Sequence, residues 1–74
     1  AKAKSIALNH AGVSENQAYD MDIEVDDEDG KLVYEVEFKS GNMEYDYEID
    51  AASGTILKHE AELDDWYHSS RENG

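Results

Sequence analysis

Asp20, Asp22, Glu24 and Asp26 alternate with apolar residues, as do Glu35 and Glu37, and then Glu44, Asp46, Glu48 and Asp50. Carboxylates in such numbers could do three kinds of chemistry. They could chelate a hard cation such as calcium. Two of them could divide acid and base work across a glycosidic bond. Together they could draw in a basic partner through a strong local field.

The hydrolytic reading needs two carboxylates held across a cleft about 5–10 Å wide, one of them with a raised pKa. A flat, exposed sheet face offers no such cleft. The run Asp26-Asp-Glu-Asp-Gly30 invites comparison with an EF-hand, but the register fails. With Gly30 at the sixth loop position, the first and twelfth positions fall on Val25 and Val36, which offer no ligand. An acidic hairpin turn accounts better for that run. His10, His59 and His68 lack metal-site spacing, and His59-Glu60 has no second histidine of a zinc-protease helix. His10 reads as a helix-end residue, favourable near the negative end of the dipole. No Gly-x-Ser-x-Gly elbow accompanies any serine. The residues point away from an enzyme, and no cofactor is expected.

The elements that carry these carboxylates follow from the alternation. Residues on a strand point to opposite faces with period two. The runs Tyr19–Asp26, Leu32–Phe38 and Met43–Asp50 therefore each build one apolar face and one acidic face. Turn-rich Asp27–Gly30 and Ser40-Gly41 join them into a meander of three antiparallel strands. Parity keeps Val25, Leu32, Phe38 and Met43 on one side. The expected pairs are Val25 with Leu32, Ile23 with Tyr34, Phe38 with Met43, Val36 with Tyr45 and Tyr34 with Tyr47. A bulged turn at Ala52-Ser53-Gly54 leads to a fourth strand over 55–60, with Leu57 inward and Lys58 near Glu48. Ahead of the sheet, residues 1–11 read as a short helix with Ala3, Ile6, Ala7 and His10 on one side, stopped at Gly12. Ser14-Glu-Asn-Gln17 has capping-box spacing and predicts one more turn. A helix this short must be held by packing on the apolar sheet face.

That register gathers the acids into rows. Asp22, Glu35 and Asp46 form one row, and Asp20, Glu37 and Glu44 the next; these six are the candidates for weak calcium binding. A solvated, aggregation-resistant face outweighs chelation as an explanation for them. Tyr19, Tyr34, Tyr45 and Tyr47 sit at inward positions and read as core. Trp66 and Tyr67 either cover an open end of the core or form an aromatic contact for a partner.

Composition narrows the partners. Nineteen acidic and six basic residues give a net charge of −13, which repels nucleic acid and anionic membranes. No apolar stretch approaches the ~18 residues a membrane span needs, so membrane attachment would require an anchor outside this chain. There are no cysteines to staple a domain of this size. The chain begins with Ala rather than Met and reads as a mature fragment or an excised piece, which leaves room for a targeting segment upstream.

Lys4–Gly12, Asp29–Phe38 and above all Glu44–Leu57 resemble the PepSY domain, over about residues 1–60. PepSY domains occur in propeptides of thermolysin-type secreted metalloproteases, in spore-germination regulators and in bacterial surface proteins. The resemblance implies an extracellular or cell-envelope location and no catalytic residues. It implies a non-catalytic protein-interaction module, one that modulates or inhibits a secreted peptidase such as a metalloprotease. An acidic cation-binding or envelope-contact module, and a plain structural spacer, are the rival expectations. Edge strands could also pair two copies into a homodimer. The expected architecture is α+β: one N-terminal helix packed on a four-stranded antiparallel meander sheet, in two layers, with 61–74 as a polar tail or a short helix.

Overall fold

A computed structural model describes residues 2–64. Helix α1 spans Lys2–Ala11 and is followed by β1 (Tyr19–Glu28), β2 (Lys31–Ser40), β3 (Met43–Asp50) and β4 (Ile56–Leu63). The four strands form one antiparallel sheet in the order β1-β2-β3-β4. The expected helix-on-meander architecture holds.

The helix lies over β2 and β3. Ala3 and Ala7 are small enough to bring its backbone close to the sheet, and Leu8 fills the adjoining space. Beneath them lie Val36, Phe38, Tyr47 and Ile49, all buried. Phe38 stacks on Tyr45 and Tyr47 at centroid distances of 5.1 and 6.2 Å, so three rings form the middle of the core. The helix ends in a Schellman motif: Val13 N–H donates to Leu8 O at 3.0 Å and Gly12 N–H to Asn9 O at 3.3 Å. Gln17 reaches back from the next turn to accept from Ser14 N–H, as the capping-box spacing predicts. Lys4 ties that turn to the helix through Glu15 at 2.6 Å.

The first hairpin is tighter than the four residues Asp27–Gly30 predict, and the second keeps a two-residue turn placed one residue further along. β1 and β2 close on the two residues Asp29-Gly30, whose φ values of 57° and 82° make a type I′ turn. β2 and β3 close on Gly41-Asn42, with Gly41 at φ 59° as a type II′ turn requires. The true pairs are Ile23 with Val36, Val25 with Tyr34, Val36 with Tyr47 and Phe38 with Tyr45. Each register slides by two residues. Since two is the side-chain period, the apolar and acidic sets stay on their expected faces.

Two bulges do change faces. One lies between Tyr19 and Asp22, with Asp20 at φ 55°. It turns Tyr19 out of the core and opposite Lys39, where its hydroxyl donates to Gly41 O at 2.8 Å. Tyr19 is thus not a core residue. The other bulge falls between Glu48 and Ile49 on the β3–β4 ladder. It places Ile56 opposite Ile49 and against the core, while Leu57 is exposed rather than inward. Lys58 pairs with Glu48 as expected. β4 also runs on through Ala61, Glu62 and Leu63, so the sheet continues past residue 60.

The turn between β3 and β4 is built on Asp50. Its Oδ1 accepts from Ala52 N–H at 2.8 Å and Ser53 N–H at 3.0 Å. Its backbone closes the loop through Gly54 N–H to Asp50 O and Asp50 N–H to Thr55 O, both 2.8 Å. Those amide bonds, with Lys31 Nζ 3.4 Å from Oδ2, hold the Asp50 carboxyl below the ordinary aspartate range.

Candidate interaction surface

Opposite the helix, the sheet presents the acidic face. Cross-strand partners on one face are neighbours about 5 Å apart, so the register defines which charges meet. One row runs Asp22–Glu37–Asp46–Glu60 across all four strands and contains no cation. The next runs Glu24–Glu35–Glu48 and ends on Lys58. On the other side of the first row, Lys39 pairs with Glu44, which faces Glu62. The two-residue slide regroups the six predicted acids: Glu37 rather than Glu35 stands between Asp22 and Asp46. Asp20 and Glu44 fall instead around Lys39, which also reaches Asp64 at 3.4 Å and Asp20 at 3.7 Å.

The carboxyl groups respond to this crowding. Glu37 is raised above the ordinary glutamate range, first by the charge of Asp46, then by burial and by Asp22. Glu24 is raised by a hydrogen bond shared with Asp22 and by that neighbour's charge. Glu28 is raised chiefly by Glu48. Lys39 is held above the usual lysine range by Asp64, against the opposing effect of its own burial. The face is therefore electrostatically unsatisfied along its middle and locally neutralised at Lys39.

Glu35, Glu37, Asp46, Glu48, Lys58 and Glu60 line a shallow depression of about 260 Å³. Among the described residues, two carboxylate groups bring oxygens within 4.8 Å of one another: Asp26, Glu28 and Glu35, and Asp46, Glu60 and Glu62. Only Glu35 and Asp46 of the predicted calcium candidates belong to them. Val33 is an aliphatic residue on this face, buried opposite Asp26 and Asp50. Trp66 and Tyr67 lie outside the described residues.

Two further features arise only in the folded chain. The ten-residue helix leaves the β1 side of the apolar face open, so Ile23, Val25 and Leu32 are exposed, the last two by 58% and 52%. At the other side, His10 at the helix end meets His59 on β4, with ring centroids 4.7 Å apart. His10 Nδ1 also lies 2.9 Å from the Tyr47 hydroxyl. These two histidines are far apart in the chain, and only the finished sheet brings them together. No described helix is long and apolar enough to cross a membrane.

A family model described as "Peptidase propeptide and YPEB domain", PepSY, matches residues 1–60. A curated relative, "Uncharacterized protein Spy1430" of Streptococcus pyogenes serotype M6, is 51% identical over 61 residues, which cover 82% of this chain and 47% of that protein. The chain thus spans less than half the length of the relative it matches. No solved structure matches it.

Proposed function

This chain belongs to the PepSY family, and on that premise we propose that it is a non-catalytic interaction module of an exported protein, one that restrains a secreted peptidase. The observation that carries this reading is the Asp22–Glu37–Asp46–Glu60 row, unbroken by any cation across four strands. Like charges placed opposite each other destabilise a sheet. A partner that brings Lys or Arg to the row relieves that repulsion on binding, and the field also speeds and orients encounter. The family description names peptidase propeptides, which supports a peptidase as partner, and the resemblance to metalloprotease propeptides narrows the class to secreted metalloproteases.

The mechanism is occlusion. A rigid sheet face held against the peptidase blocks access to its cleft, and no bond is made or broken by this chain. The edges of β1 and β4 offer main-chain groups that could extend the contact as an added strand. Tested against a panel of secreted metalloproteases, the domain should bind at least one and lower its peptidase activity. Absence of binding across the panel contradicts the proposal.

A second reading rests on the same face. The groups Asp26, Glu28, Glu35 and Asp46, Glu60, Glu62 bring three carboxylates within 4.8 Å, a spacing that suits a hard cation with oxygen ligands. Millimolar calcium at constant ionic strength would then raise the melting temperature. An unchanged melting curve removes this reading and leaves the first intact.

A further inference from the structure

We propose that His10 and His59 form a two-imidazole site for a first-row divalent transition metal such as Zn²⁺ or Ni²⁺, clamping the end of α1 to the edge strand β4. This inference is independent of the peptidase reading and uses the opposite face of the sheet.

The geometry is the first argument. A metal bound to two imidazole nitrogens at about 2.0–2.1 Å sits ~3.2 Å from each ring centre, which puts the centres about 4.5 Å apart at a right angle and about 5.2 Å apart at a tetrahedral angle. The His10 and His59 centroids are 4.7 Å apart, a separation that falls between those two arrangements. Both residues are exposed, so the remaining coordination positions are open to water.

The second argument is the partner of His10. Metal-bound histidines nearly always donate their other ring N–H to a fixed acceptor, which sets the tautomer and aims the free nitrogen. His10 Nδ1 is 2.9 Å from Tyr47 Oη. With Nδ1–H donating there, Nε2 carries the free lone pair. Tyr47 is itself buried and stacked in the core, so the acceptor is held in place. The ring of His59 packs on the same tyrosine at 6.0 Å, which limits where it can turn.

The donor set selects the metal. Imidazole suits zinc, nickel and copper, whereas calcium and magnesium prefer oxygen. The three-donor groups found among the described residues are all carboxylate, and none includes a histidine. The site is thus chemically distinct from the acidic rows. Because α1 and β4 meet only in the folded chain, metal held between them must stabilise the fold in proportion to its occupancy.

Thermal melts with Zn²⁺ and Ni²⁺ up to about 1 mM, at constant ionic strength and with Ca²⁺ as control, test the proposal. The expected result is a Tm rise of about 3 °C or more with Zn²⁺ and Ni²⁺ beyond that with Ca²⁺. His10→Gln and His59→Gln should each abolish this excess while keeping the circular dichroism of the fold. Tyr47→Phe retains the ring and should move the Zn²⁺ midpoint about tenfold higher. His68→Gln, a substitution outside the described residues, should leave the excess unchanged. An excess that survives in His10→Gln or His59→Gln, that disappears in His68→Gln, or that is absent from the unmodified protein overturns the proposal.

Discussion

Glu37 on β2 stands directly opposite Asp46 on β3, and the charge of Asp46 is the main cause that raises the Glu37 carboxyl above its ordinary range. Asp22 and Glu60 extend the same row on either side. Glu37→Gln should therefore stabilise the domain at pH 7. A like-charge contact at a largely exposed position is worth about 0.5 kcal/mol after screening, or about 2–4 °C in Tm for a domain this size. A thermal melt checks it.

The same crowding sets a pH dependence. Glutamate titrates at 4.5 when unperturbed, and Glu37, Glu24 and Glu28 are all raised above that. Between 4.5 and the raised native values the folded state holds more protons than the unfolded one, so stability falls as pH rises. Asp50 works in the opposite sense: it is lowered from 3.8, and its contribution is present above that value and lost as pH falls through the native pKa. Tm should be higher at pH 5 than at pH 7.5 in low salt, with the gap narrowing in 0.5 M NaCl as screening shortens to a few Å. A higher Tm at pH 7.5 in low salt contradicts this assignment.

Gly54 and Asp50 make the closing turn a second point of sensitivity. Gly54 has φ +79°, and a Cβ there would meet Ile6 Cδ1 at 3.3 Å. Gly54→Ala should cost about 1–2 kcal/mol from the left-handed backbone alone, with further displacement of the helix at Ile6. Denaturant unfolding measures this loss.

Asp50→Ala removes the acceptor that holds Ala52 N–H and Ser53 N–H. It should lower Tm by about 5 °C or more, the reverse of Glu37→Gln. The comparison separates a structural carboxylate from a crowded one within a single sheet face.

Much of this fold is legible in the sequence because period-two alternation survives a change of register. A loop shortened by two residues at the first hairpin, and a two-residue turn moved one position along at the second, leave every side chain of β2 and β3 on its predicted face. The pairing itself was not legible, since loops differing by two residues satisfy the same parity, and the rows of acids shifted accordingly. Bulges carry no such signal: nothing in the run Tyr19–Asp22 distinguishes a bulged start from a regular strand, and Tyr19 accordingly changed sides. The Asp50–Gly54 turn was visible as a turn, although its bulge falls at Leu57 instead. The His10–His59 pair was invisible for a different reason. Local spacing detects ligands on one element, whereas this pair joins a helix end to the last strand.

We propose the acidic row as the binding surface for a secreted peptidase. The most direct test is calorimetric affinity for secreted metalloproteases from about 50 to 500 mM NaCl, comparing the protein with the E37Q/D46N/E60Q variant. The variant should keep the fold, because it relieves like-charge cross-strand contacts, and it removes three charges of the row. At least one enzyme should bind, with an affinity that weakens about tenfold or more with salt and is lost in the variant. Absence of binding, or binding indifferent to both salt and the three substitutions, would contradict it.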